Sequence, residues 1–237
     1  MKQLLRFKIF QETACYQKPF AFKVGETYPL VPFSTIKGLL HALLEADKYI
    51  PLDISIQGKF ETMLIDYQKK YMYKKKEAQI PFIIDGLGVE LEPEHVTSMP
   101  MYQHLLFHVE HVFHVDAQPE ILQQLYDKLT NPDVTLSLGR WEDLVRIDEV
   151  TLVEVTKDKL TQHTSYDIYV PEYDAQELRE FKGENNLVAY YRMPKKYTII
   201  NGRRVWDYSS VALVQQNQKF ISKILTDGEY PIFLIKG

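Results

Sequence analysis

Four of the seven histidines fall within "HLLFHVEHVFH" at 104 to 114, as His104, His108, His111 and His114. On a strand His104, His108, Glu110 and His114 share one face, and His111 joins Leu105, Phe107, Val109 and Phe113 on the other. Such a face could offer imidazole acids and bases near neutral pH to a ligand such as RNA. It could equally line a polar interface or simply be solvated. As a metal site it is poor, because residues two apart on a strand lie about 6.5 Å apart and those further on diverge. Cys15 is the only cysteine, so no internal disulfide forms, and without a Cys/His framework no zinc site is indicated. No metal and no cofactor are expected.

A second chemical feature opens a helix. In "PFSTIKGLLHALL" at 32 to 44, Ile36, Leu39, Leu40, Leu43 and Leu44 recur at helical spacing. Ser34 reads as its N-cap. The segment lacks the glycine-rich turn of a nucleotide-phosphate loop, yet a helix N-terminus with Ser34, Thr35 and Lys37 can hold a phosphodiester. Gly38 in its second turn costs about 1 kcal/mol relative to alanine, a cost explained if Gly38 and Ala42 let the helix pack close to a sheet. A third feature is "SLGRWEDL" at 137 to 144, where Gly139 permits a positive φ or close approach of a ligand. Arg140 could then meet phosphate or stack on a base.

The elements that must position these groups follow from periodicity. Residues 3 to 12 alternate, with Leu5, Phe7 and Ile9 on one side and Leu4, Arg6, Lys8 and Phe10 on a partly basic other side. An aromatic loop of some twenty residues leads to the helix and has the length of a functional loop. Then come a strand at 54 to 68, an insertion of about 35 residues, and the histidine strand. A second helix follows, with Asp116 as N-cap, Pro119 in its first turn and Ile121, Leu122, Leu125 and Leu129 as its buried stripe. "DVTLSLG" at 133 to 139 closes the set as a fourth strand. The order predicts an α+β, ferredoxin-like (RRM-like) βαββαβ domain over 1–150 with an inserted hairpin. Short β-like runs over 151–237 predict a small antiparallel β domain, in which "INGRR" is the best hairpin turn.

Composition bounds the partners. The 237 residues carry a net charge of −4, which excludes coating nucleic acid by bulk electrostatics. Charge is nonetheless uneven: "YQKKYMYKKK" at 67 to 76 is basic and aromatic, and "DGLGVELEPE" at 85 to 94 is acidic. With 16 tyrosines, a local basic groove with stacking surfaces fits a mildly acidic body. No apolar run approaches eighteen residues and no signal-peptide pattern is present, so a cytoplasmic protein without a membrane partner is expected.

The stretch "FKVGETYPLVPFSTIKGLLHALL", the hairpin-sized insertion and "LSLGRWEDLV" together resemble the CRISPR-associated Cas-five family, most closely its type I-B branch, over essentially the whole chain. The resemblance implies an RRM-like body of the RAMP superfamily with a projecting thumb at about 67–103. It implies a subunit that binds the 5′ handle of the crRNA, caps one end of a Cascade complex and contacts its large subunit and a backbone subunit, near the target DNA. By the same resemblance Ser34, Thr35, Lys37, Gly139 and Arg140 would line the handle surface. Lys23, Tyr28 and Lys8 join them, with Met99 and Met101 as thumb wedges. Type I-C relatives cut the precursor RNA with tyrosine, lysine and histidine. The adjacent Lys-His pair of those enzymes is absent here, so the resemblance implies a non-catalytic subunit. The alternative is a metal-independent endoribonuclease using His41 or His108.

Overall fold

In the computed structural model, residues 2–19, 21, 24–73, 96–160, 162–177, 188–220 and 222–237 are described. The alternation of the first residues produces strand β1 (Lys2–Ala14). Leu5, Phe7 and Ile9 enter the main core, while Leu4 joins a smaller cluster with Val155 and Ile232. A short β2 (Val24–Gly25) leads to helix α1 (Phe33–Leu43), which buries Phe33, Ile36, Lys37, Leu40 and Leu43. Strand β3 (Asp53–Lys59), strand β4 (Thr62–Tyr73), the 21-residue β5 (Val96–Asp116) and helix α2 (Pro119–Thr130) follow. Then come β6 (Arg146–Asp158), β7 (Asp167–Pro171), a short α3 (Glu172–Glu177), β8 (Ala189–Ile200), β9 (Arg203–Val214), β10 (Ile224–Thr226) and β11 (Pro231–Ile232).

These strands form one mostly antiparallel sheet in the order β11-β10-β6-β1-β5-β3-β7-β9-β8, with β2 and β4 both added to β5. The stripes of α1 and α2 share a core with Leu5, Phe7 and Ile9, so both helices cover that face. Among the described residues no helix is long and apolar enough to cross a membrane.

Several expectations are corrected. The stretch 133–139 is not a strand. It holds a single bridge, Ser137 to Leu144, and the strand beside β1 is β6. The expected boundary after residue 150 falls inside β6, and the later strands extend the same sheet at both edges. The stretch 54–68 is two strands, because β3 pairs with residues 110–116 of β5 and β4 with 96–107. At the junction His108 takes φ 49° and its Nδ1 lies 2.6 Å from Glu61 Oε2. Neither helix has its expected cap: the N-cap positions are Pro32 and Gln118, with no side-chain cap hydrogen bond. Asp116 instead ends β5 and pairs with Lys2.

The histidine strand is buried at its C-terminal half. His114 Nε2 lies 3.0 Å from Asp227 Oδ2, with both side chains fully buried. Burial lowers the His114 pKa despite Asp227. On the helix face, His111 accepts the Val31 N–H at Nε2 (3.3 Å) and stacks on Phe113. Burial pulls its pKa from 6.5 down to about 3. The unfolded chain therefore binds a proton that the native state refuses. Stability from neutral His111 is complete above pH 6.5 and drains as pH falls towards 3, by ~1.4 kcal/mol per unit. In denaturant titrations at pH 7 and 5, His111→Gln is expected to lose about 2 kcal/mol less between the two than wild type. Equal losses would mean that His111 does not set the acid limit.

Candidate nucleic-acid interface

The last long hairpin has the charge pattern of a nucleic-acid surface. Its segment "YYRMPKKYTIINGRRVWDY" at 190 to 208 carries Arg192, Lys195, Lys196, Arg203 and Arg204 against the single carboxylate of Asp207. The turn is Asn201-Gly202, with φ of 50° and 72°, the two positive values that a tight hairpin turn needs. Cations and rings alternate across it: Arg192 lies 4.6 Å from the Tyr208 ring centroid and Arg204 4.6 Å from that of Tyr197. Tyr197 and Trp206 meet edge to face at 5.4 Å. Arg203, Arg204, Tyr197 and Trp206 are solvent-exposed, so charge and stacking surface are presented together.

Between this hairpin and α1 runs a groove of about 360 Å³, walled by Ser34 and Lys37 on the helix and by Lys196, Tyr197 and Trp206 opposite. Lys37 is only 3% exposed, and its Nζ has no hydrogen-bond partner among the described residues. Burial pulls its pKa down to about 8; Asp53 acts against this, while Lys195 and Lys196 add to it. Lys195 is held by Asp207 at 3.2 Å. Lys196 sits 5.3 Å from the Tyr49 ring centroid. His41, on the same wall, has both ring nitrogens engaged: Nδ1 with the Lys37 carbonyl at 2.7 Å and Nε2 accepting the Ile50 N–H at 2.9 Å. The imidazole is thus a structural strut stacked on Tyr49.

The other anticipated residues are dispersed. Ser34 and Thr35 are half-buried in the first turn of α1. Gly38 faces open space, not the sheet: a Cβ there would meet nothing within 4 Å, and Ala42 is exposed too. The close-packing account of Gly38 is therefore corrected. Gly139 does take a positive φ of 109°, but what approaches it is the chain itself, since a Cβ would lie 2.9 Å from both Asp143 and the Cys15 carbonyl. Arg140 is committed to the Asp143 carboxylate (Nη2 2.7 Å, Nε 3.1 Å) and to Glu142 (3.0 Å). Lys8 pairs with Glu149 at 2.8 Å beside the Tyr230 ring. Tyr28 is buried edge-on to Tyr191. Met101 is buried and Met99 half-buried on β5. Lys23, and residues 74–95 of the insertion, lie outside the described residues. Among the described residues no three His, Cys, Asp or Glu side chains are grouped as metal ligands.

The "INGRR" turn of the β8–β9 hairpin was expected, but its basic, aromatic face and the groove beside it went unnoticed in the sequence, although "KK" and "RR" interleaved with tyrosines and a tryptophan were a legible signal. The flanking strands β4 and β5 make a second exposed ladder, Thr62↔Phe107 to Met72↔Thr97, displaying Tyr67, Tyr102, Ile65 and Lys69.

The model of the family described as CRISPR-associated protein (Cas_Cas5) matches residues 4–203. The chain belongs to this Cas5 family. Among solved structures, a chain of a CRISPR RNA-guided surveillance complex is similar at 14% identity and TM-score 0.54, with 91% of each chain covered. A CRISPR protein from Archaeoglobus fulgidus is similar at 12% identity and TM-score 0.50, covering 100% of this chain and 99% of that one. These likenesses are of fold. No curated protein matches the chain. Family membership makes it a CRISPR-associated protein.

Proposed function

We propose that this Cas5 protein is a non-catalytic crRNA-binding subunit of a type I-B Cascade complex. It holds the 5′ handle and caps one end of the complex, in contact with the large subunit, a backbone subunit and nearby target DNA. The observation that carries this reading is the basic, aromatic β8–β9 hairpin standing across the groove from α1. Cations fix the phosphate register there, and rings accept splayed bases. The β4–β5 ladder serves as the thumb, and the β6-β1-β5-β3 order with its two helices supports a ferredoxin-like body. The type I-B assignment rests on "FKVGETYPLVPFSTIKGLLHALL" and "LSLGRWEDLV".

A non-catalytic role is supported by how four of the six described histidines are used, His104 and His163 being the two left accessible. His41 is hydrogen-bonded at both nitrogens, His111 and His114 are buried, and His108 faces Glu61. General acid–base work needs a nitrogen within reach of the transferred proton.

The test is incubation of the purified protein with labelled CRISPR repeat RNA in EDTA, read by a binding isotherm over a salt series and by a denaturing gel. The expected result is intact RNA, bound with an affinity whose logarithm falls linearly with log salt, by ~0.7 for each phosphate contacted. A discrete cut within the repeat, lost in His108→Ala, would establish the endoribonuclease instead.

A further inference from the structure

We infer that the groove between α1 and the β8–β9 hairpin is a pocket for one extruded nucleotide of single-stranded RNA, its phosphate seated against Lys37 and its base against Tyr197 and Trp206. The inference rests on the RNA-holding function and assigns to it a particular site.

Three observations converge. Lys37 is almost wholly buried and lines the groove, yet its Nζ has no hydrogen-bond partner among the described residues. A buried cation requires a partner or a compensating ligand. Among the described residues no acid fills that role: Asp53 accepts the Gly237 N–H at 2.7 Å, Asp207 is taken by Lys195, and Asp47, which also lines the groove, makes no hydrogen bond to Lys37 Nζ. Second, the surroundings favour an anion. No acidic residue stands in the first turn of α1, no side chain caps that helix, and Ser34, Lys48, Lys195 and Lys196 line the groove with Lys37 against the one carboxylate of Asp47. The uncapped helix end and the lysines have the same sign. Third, the remaining wall is aromatic. Tyr197 and Trp206 are in edge-to-face contact and Arg204 lies over the Tyr197 ring. A pocket for phosphate alone needs no such wall, and ~300–1,000 Å³ is the range of small-molecule sites, into which about 360 Å³ falls. Gly38 leaves open space on the helix side of the groove, between Ser34 and His41.

Because the chain has only two tryptophans, a Trp141→Phe background leaves Trp206 as the sole tryptophan, read by excitation at the red edge where tyrosine does not absorb. In that background the protein is titrated with uridine 5′-monophosphate, adenosine 5′-monophosphate, uridine and inorganic phosphate. Saturable change in Trp206 emission is expected with both monophosphates, at least tenfold weaker with uridine. Lys37→Met, which keeps the side-chain stem, is expected to weaken monophosphate binding at least tenfold while melting no lower than wild type. The exposed Tyr197→Ala should weaken nucleotide binding and leave phosphate binding unchanged. Inorganic phosphate binding as tightly as the monophosphates, or Lys37→Met binding them like wild type, overturns the pocket.

Repeat-RNA binding is measured on the same preparations. RNA held at wild-type affinity by Lys37→Met overturns the pocket and leaves the RNA-holding function standing. Monophosphates bound without any RNA binding overturn that function and leave a nucleotide pocket.

Discussion

Replacing Asp143 with alanine is expected to destabilise the protein by about 3 kcal/mol, the low end of the cost of removing one partner from a buried ion pair. The carboxylate is fully buried and receives four hydrogen bonds. Oδ2 accepts the backbone N–H groups of Cys15 and Arg140 and the Arg140 Nε, and Oδ1 accepts Arg140 Nη2, all between 2.7 and 3.1 Å. Alanine strands the Cys15 N–H in the core and leaves the guanidinium only Glu142. At this chain length each kcal/mol is worth roughly 2–4 °C, so a fall in Tm of about 6–12 °C is expected in thermal unfolding. Asp143→Asn, which keeps an acceptor for Cys15, should lose less. A shift within 2 °C for the alanine variant would show that the loop is not anchored by this carboxylate.

The second large effect lies in RNA affinity. Neutralising Lys196, Arg203 and Arg204 together is expected to weaken repeat-RNA binding by about ten- to a hundredfold at moderate salt. It should also flatten the log–log salt slope by roughly two, three contacts at ~0.7 each. All three lie on the exposed or half-exposed part of the β8–β9 hairpin, so unfolding free energy should move by no more than ~0.5 kcal/mol. The pair of readouts separates lost contact from lost fold. An unchanged slope would place the RNA elsewhere, with the β4–β5 ladder as the next surface to neutralise.

The division between what was legible in the sequence and what was hidden is physical. The alternation of Leu5, Phe7 and Ile9, the stripes of α1 and α2, and the Asn201-Gly202 turn are local patterns, and local patterns determined those elements. The fourth strand was misplaced because "DVTLSLG" alternates as a strand should, with Leu136 and Leu138 buried. The true β6 looks too polar. Its Glu149 is satisfied by Arg6 and Lys8 on the neighbouring β1, a pairing across some 140 residues that no window reveals. Arg140 failed as an apparent ligand for the same reason in reverse: the carboxylate that occupies it stands three residues on, but only the Gly139 turn brings the two together. Lys37 was visible as a basic residue on a helix. Its burial was not, because the wall that covers it comes from β8, over 150 residues later.

Strand β5 has a mechanical consequence. Its 21 residues span roughly 70 Å at about 3.3 Å each. One stretch of it lies between β1 and β3 at the centre of the sheet, and the rest forms the backbone of the outer β4–β5 ladder. The outer part of β5 is therefore not a separate loop but the continuation of a beam whose other end is clamped in the core. His108, in its left-handed conformation opposite the β3–β4 break, marks where β3 gives way to β4, while β1 pairing runs on to Leu106 and β2 pairs at Tyr102 and Gln103. Force applied to the outer β4–β5 ladder is delivered straight into the middle of the fold, and the β1–β5 ladder is the element that bears it.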